Sequence, residues 1–513
     1  MTHFIGSLAG GLAAILLLGA ATAANASPDQ ATIESGKLAG VVDHDVVSFK
    51  GVPFAKPPVG DLRWRAPQPL QPWTGVRAAD KYGALCMQKI NTKDNGVGPP
   101  PASEDCLTLN VWKPLHPSKR ALPVMVWIHG GGLVNGSGTA ALYDGSAFAR
   151  RDVVLVTINY RLGRFGFFAH PALTAETPQG PLGNYGLMDQ IAALRWVQRN
   201  IAAFNGDPRD VTVFGESAGG VSVNHLMLAP AAKGLFIRAI VESGAGREVS
   251  APLHVPGPGG VPSAEDQGVA FVKKLGVSGR AAAALRAIPA DAIVAAGDPD
   301  MSKGELIVLD GVTQTMEVAD GFRRGLEMKI PYIVGSNSLE LPVPPSMIDS
   351  FFGGAGHMSA ADKAKLAETY GGMDAFNDNV LSDIVFTEPA RYLASLHAAH
   401  GNPTWLYRFS VLSPTAPKML KGAPHASERE YVFDTLGASP WPTVDADKPL
   451  AAGMNAYWAD FAKRGDPNGE GLPHWPRYSA AGDELLDFTN TGPVAKKTPR
   501  ADVLKALTDR YPQ

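Results

Sequence analysis

The chain has 513 residues, 45% hydrophobic and 19% charged, enough apolar mass for a sizeable core and too much for wholesale disorder. Its 46 Lys and Arg nearly balance 49 Asp and Glu, so neither the basic footprint of a nucleic-acid binder nor an acidic tail is present. The 56 glycines follow no collagen period, and with 42 prolines they predict many turns and long loops on a large scaffold.

The first predicted element is a leader. Leu8 to Ala21 is apolar and small, and Ala24-Asn25-Ala26 fits a cleavage site before Ser27. The apolar run falls short of a membrane span of about 20 residues, so a signal over 1–26 is expected to be removed on export. The remainder, 27–513, reads as one secreted or periplasmic domain with no membrane insertion. Export permits a disulfide, and Cys86 and Cys106 are expected to form it. Two cysteines cannot build a tetrahedral cysteine zinc site. The loop between them holds Asn95-Gly96 and Pro99-Pro100-Pro101 and reads as an exposed excursion.

Short Val/Ile-rich runs then recur at Val124 to Ile128, Val153 to Ile158, Val211 to Phe214, Ala239 to Val241, Tyr332 to Val334 and Trp405 to Phe409. Near-continuous apolar runs suit parallel strands covered on both faces. Helical patterns lie between them, at Met188 to Asn200 and onward from Val221. The alternation predicts an α/β fold with a mostly parallel sheet. Ser250 to Pro262 is dense in Gly and Pro and reads as a surface connection, whereas 264–330 and 357–400 read as helical insertions over the sheet.

Two strand ends carry chemistry. Val124 to Ile128 runs into His129-Gly130-Gly131-Gly132. Successive glycines let backbone N–H groups approach a reacting oxygen, and such a loop supplies the oxyanion donors of acyl transfer together with the residue after a nucleophile. The donors here are Gly131, Gly132 and Ala218. Val211 to Phe214 runs into Gly215-Glu216-Ser217-Ala218-Gly219, followed by a helical pattern. Strand, tight turn and helix are the setting of a nucleophile elbow with Ser217 at its apex. The helix N-terminus behind it favours developing negative charge.

A serine nucleophile needs a base and an acid, which in this architecture follow it in the order acid, then histidine. His425 lies in a loop beyond the last apolar run, where functional groups collect; His474 is the alternative. His225 follows the serine too closely, and His397 and His400 sit on a helical pattern. Asp310 and Glu340 both follow apolar runs, and position alone leaves both open as the acid.

The chain resembles the type-B carboxylesterases, which include the cholinesterases, of the α/β-hydrolase fold. The likeness runs through Phe49 to Phe54, Ser103 to Trp112, His129 to Gly132, Asn159 to Gly163, Gly183 to Gln190, Phe214 to Gly220, Gly465 to Asn468 and Trp475-Pro476. The resemblance implies Glu340 as the acid, at the end of Gly335-Ser336-Asn337-Ser338-Leu339-Glu340, His425 as the base, and Cys86–Cys106 as the first disulfide. It implies a small-molecule ester substrate, no nucleic acid, and no metal or organic cofactor. Two departures stand out. Leu341-Pro342-Val343-Pro344-Pro345 follows Glu340, where the family usually has glycine. Met87 to Asp105 holds no aromatic residue, whereas cholinesterases carry there a tryptophan that binds quaternary ammonium, so a choline ester is not the expected substrate. An amidase or carbamate hydrolase would use the same machinery, and a non-catalytic cholinesterase-like binding protein is the rival from another class.

Overall fold

The computed structural model describes residues 27–91, 94–99, 101–117, 120–277, 281–299, 304–348 and 358–511. The expected signal, 1–26, and the first residue of the expected insertion at 357–400 lie outside them.

An eleven-stranded sheet organises the chain. Its strands are β1 (Val41–Asp43), β2 (Val46–Pro53), β3 (Thr108–Pro114), β4 (Leu122–Ile128), β5 (Val154–Ile158), β6 (Gly206–Glu216), β7 (Arg238–Glu242), β8 (Tyr332–Asn337), β9 (Thr404–Phe409), β10 (Glu484–Thr489) and β11 (Gly492–Lys497). They lie in the order β11-β10-β9-β8-β7-β6-β4-β5-β3-β2-β1. The run from β5 to β10 is parallel, and the strands at both edges are antiparallel. All six apolar runs of the sequence lie in parallel strands.

Those strands are apolar throughout because both faces are covered. On one face Val124, Val126, Val213, Val241 and Val334 pack beneath α1 (Tyr185–Asn200) and α2 (Ala218–Leu228). The intervening Met125, Trp127, Phe214, Ile240, Ile333 and Trp405 meet Met454, Trp458 and Phe461 of a long helix, Asp447–Arg464. No helix among the described residues is long and apolar enough to cross a membrane.

The Cys86–Cys106 disulfide is present. Its loop is exposed only in part, at Lys89 to Asn91, Pro99, Pro101 and Asp105, which narrows the expectation from composition. The Gln88 side chain is buried, accepts from Gly136 N at 2.9 Å and donates to Gly136 O at 2.9 Å. Asn95 and Asp94 face Arg429. Gln88, Asp94 and Asn95 thus find partners on the body of the protein, including the segment that follows Gly130-Gly131-Gly132.

The insertions are only partly helical. Region 264–330 contains Ala264–Lys274, Ala282–Arg286, Ala290–Ala295 and Val318–Arg323, but also Val308–Leu309, which pairs with Ala251–Pro252. Region 357–400 carries Ala360–Tyr370, α3 (Met373–Ser382) and α4 (Glu388–Ala399), with a π-helical turn, Asp383–Thr387, between the last two.

Candidate active site

Register places the relevant strand ends on one edge of the sheet. Gly215 pairs with Ile128, Glu216 with Glu242, Glu242 with Gly335, and Asn337 with Phe409. The loops leaving β4, β6, β8 and β9 therefore converge.

Ser217 sits between β6 and α2 with φ 54° and ψ −124°. Such a conformation is costly for a residue with a Cβ, and its backbone N–H donates to Glu242 O at 2.8 Å. The turn needs glycine at 219, where a Cβ would stand 2.0 Å from Ile128 O. Ala218 opens α2, so its N–H has no partner within the helix.

The His425 ring joins three loops. Nε2 is 2.8 Å from Ser217 Oγ, and Nδ1 is 2.7 Å from Glu340 Oε2. Backbone adds a further link, His425 N donating to Glu340 O at 3.0 Å. Glu340 is buried, and its Oε1 accepts from Ser243 Oγ and from Asn337 N, both at 2.6 Å. Both carboxylate oxygens are thereby occupied, so the Glu340 oxygen facing Nδ1 is held in place. Asn337 Nδ2 donates to Pro424 O and to Glu428 Oε2, tying the acid loop to the histidine loop.

Beside the serine, Gly131 and Gly132 take φ of 99° and 64°. Their loop is anchored by His129, whose ring stacks on Tyr160 at 4.4 Å and whose Nδ1 lies 2.9 Å from Gly130 O. Burial drives the His129 pKa down to about 4, so this ring stays neutral and serves as an anchor.

The sequence profile described as "Carboxylesterase family" matches residues 27–350 and 357–505. The chain belongs to the carboxylesterase family. Fumonisin B1 esterase of Sphingopyxis macrogoltabida is 36% identical over 479 residues, covering 89% of this chain and 85% of that one. Para-nitrobenzyl esterase of Bacillus subtilis (strain 168) is 36% identical over 483 residues, with 89% and 94% covered. A solved PNB esterase structure matches with TM-score 0.80 at 33% identity, over 94% of this chain and 100% of that chain. The sheet is that of the α/β-hydrolase fold, and the chain is a hydrolase acting on ester bonds.

This carboxylesterase places other buried acids around the histidine. Glu216, the variable residue of the pentapeptide, sets Oε1 3.3 Å from His425 Nε2. Burial raises the Glu216 pKa, and burial pushes Glu242 up to about 8, its Oε1 accepting from Trp458 Nε1 at 2.7 Å. Glu428 is raised well above the carboxylate range by burial and by the charge of Glu216. The buried Arg429 guanidinium offsets part of this charge and donates to the Tyr143 hydroxyl and to Asn95 Oδ1, each at 3.0 Å. Burial opposes charge on His425, but the Glu216 carboxylate and the hydrogen bond that His425 donates to Glu340 outweigh it, and its pKa lies above the usual value.

The competing sequence candidates lie elsewhere. Asp310 Oδ1 accepts from the backbone N–H groups of Val312, Thr313 and Gln314, a loop-closing role. His225 is buried in α2 between Gln314 and Glu248. His397 is buried between Glu327 and Ile330 O, and His474 is exposed. Sequence reasoning missed Ser243, Asn337 and Phe386. Glu216 stood inside the motif, but only the fold brings its carboxylate to the imidazole.

Proposed function

We propose that the protein is an exported serine carboxylesterase that cleaves small carboxylic esters through an acyl intermediate on Ser217. The reading rests above all on the unbroken contact from Ser217 Oγ to His425 Nε2 and from His425 Nδ1 to Glu340. The imidazole is poised to accept the serine proton as Oγ attacks the ester carbonyl, then to deliver it to the leaving alcohol. Glu340 fixes the tautomer that leaves Nε2 free and stabilises the imidazolium. The N–H groups of Gly131, Gly132 and Ala218 receive the oxyanion, a contribution of about 3–4 kcal/mol per donor. Water then enters by the same base and releases the acid from the acyl-serine. In this reading residues 1–26 are removed on export, and 27–513 works as one hydrolase unit.

Hydrolysis of a short p-nitrophenyl ester by Ser217→Ala, His425→Ala, Glu340→Ala and Asp310→Ala tests the assignment. The first two are expected to lose several orders of magnitude in kcat. Glu340→Ala falls steeply, while Asp310→Ala, if folded, stays near the parent. Parent-like turnover in Ser217→Ala, or no labelling of the folded parent by an organophosphonate, overturns the reading. Parallel amide and carbamate substrates separate esterase from amidase, since the leaving-group pocket decides between them.

A further inference from the structure

Between α3 and α4 the helical register slips. Glu388 N–H reaches back five residues to Asp383 O, and Pro389 follows. A proline has no N–H to give Val385 O, and its ring crowds that carbonyl; the extra residue before it absorbs the conflict. One inserted residue turns the flanking faces by about 100° relative to each other. Single π-turns inside helices gather at functional sites, and this one meets the site twice. The Phe386 ring packs on the His425 ring, centroids 4.6 Å apart with 31° between planes. Ser382 Oγ accepts from Leu341 N at 2.9 Å, the peptide just after Glu340.

The turn is fastened from behind by the C-terminal segment. Buried Asp383 takes two hydrogen bonds from Arg500, at 3.0 and 2.6 Å, and one from the Tyr370 hydroxyl at 2.9 Å. Arg500 precedes the helix Ala501–Thr508, whose Val503, Leu504 and Leu507 pack with Leu366 and Phe376. At the helix's other end Thr508 donates to Glu388 at 2.8 Å.

We infer that Phe386 is a positioning residue for His425, and that the Asp383–Arg500 pair holds the π-turn so that this ring keeps the imidazole aimed at Ser217. The inference rests on the Ser217–His425–Glu340 assignment. The groups facing His425 are the Glu216 and Glu340 carboxylates, the Ser217 hydroxyl and, at longer range, the Arg429 guanidinium; Phe386 is the apolar wall that limits how the ring tilts.

The test is a double-mutant cycle on the full-length enzyme. Phe386→Ala is expected to lower kcat roughly tenfold to a hundredfold, the cost of a displacement near 1 Å, with KM little changed. Its acid limb of kcat/KM moves up, because water reaching the imidazole favours the imidazolium. Phe386→Leu, which keeps an apolar wall, recovers most of kcat. Arg500→Met reproduces the kcat loss and the direction of the limb shift, Arg500→Lys restores part of each, and Arg500→Met adds less than about twofold on the Phe386→Ala background. Unmoved kcat and acid limb in Phe386→Ala overturn the inference. So does an effect confined to KM, or an Arg500→Met loss that is equal in both backgrounds. An active Ser217→Ala, run beside them, marks failure of the triad assignment instead.

Discussion

On the proposed mechanism, Glu216→Gln isolates one charge beside His425. Glu216 Oε1 lies 3.3 Å from His425 Nε2. Two unit charges at that distance interact by about 5 kcal/mol at an effective dielectric of about 20. This is an upper bound, because burial of Glu216 opposes its charged form and a bare Coulomb estimate leaves out desolvation. One pKa unit corresponds to about 1.4 kcal/mol, so even a quarter of the bound moves the histidine by about one unit. The sign is fixed: losing a neighbouring anion destabilises the imidazolium and lowers the His425 pKa. The neutral base is then available at lower pH, and the acid limb of kcat/KM moves down by about one unit. Plateau kcat also falls, by about tenfold for a loss near 1.4 kcal/mol, because the transition state contains an imidazolium that has lost a partner. Initial rates on a short p-nitrophenyl ester across about pH 5 to 9 read both effects. An acid limb that stays in place or moves up refutes the reasoning.

Three further outcomes follow from the packing. Asp189→Asn breaks a pair whose side chains are 0% and 4% exposed, with Arg161 Nε and Nη2 at 2.7 and 2.8 Å; about 3–5 kcal/mol of stability is expected to be lost in urea unfolding, and a loss below about 1 kcal/mol refutes it. Cys106→Ser opens a link between residues 20 positions apart, and by chain entropy about 3 kcal/mol is lost, read as a lower urea midpoint that reductant no longer changes. Gly219→Ala puts a methyl 2.0 Å from Ile128 O; the elbow shifts, and organophosphonate labelling slows by roughly a hundredfold or more without loss of the far-UV spectrum.

How much was legible depended on how local the signal was. The six apolar runs announced themselves because a parallel strand buried on both faces tolerates few polar residues. Val46–Pro53, Thr108–Pro114 and Glu484–Thr489 carry a weaker signal, since Ser48, Asn110 and Asp487 interrupt the apolar pattern. Asn110 is satisfied at long range, its Oδ1 accepting from Gly51 N and its Nδ2 donating to Gly138 O, and no local pattern encodes such partners. Ser217 and the glycines stood in contiguous motifs. Position did not choose between Asp310 and Glu340; the resemblance did, and the structure sets Glu340 on the imidazole with Asp310 closing its own loop. Phe386 left no motif, because its contact with His425 depends on a slipped helical register and on an arginine more than a hundred residues further along.

The departure after Glu340 shows where rigidity enters. A glycine there would let the acid loop turn freely, whereas Leu341-Pro342 restricts it: the residue before a proline is pushed toward extended backbone. The chain holds Glu340 by other means. Asn337 N and Ser243 Oγ fix one carboxylate oxygen, Ser382 takes the N–H of Leu341, and Leu339 N donates to Ala423 O in the histidine loop at 3.0 Å. Apart from Asn337 these bonds come from three other segments, so the position of Glu340 does not depend on a flexible residue at 341. A stiff segment is tolerated because its conformation agrees with that frame, and its lower entropy in the unfolded chain then favours the folded state. Pro342, Pro344 and Pro345, all exposed, stiffen the surface segment that follows without moving the carboxylate beneath it.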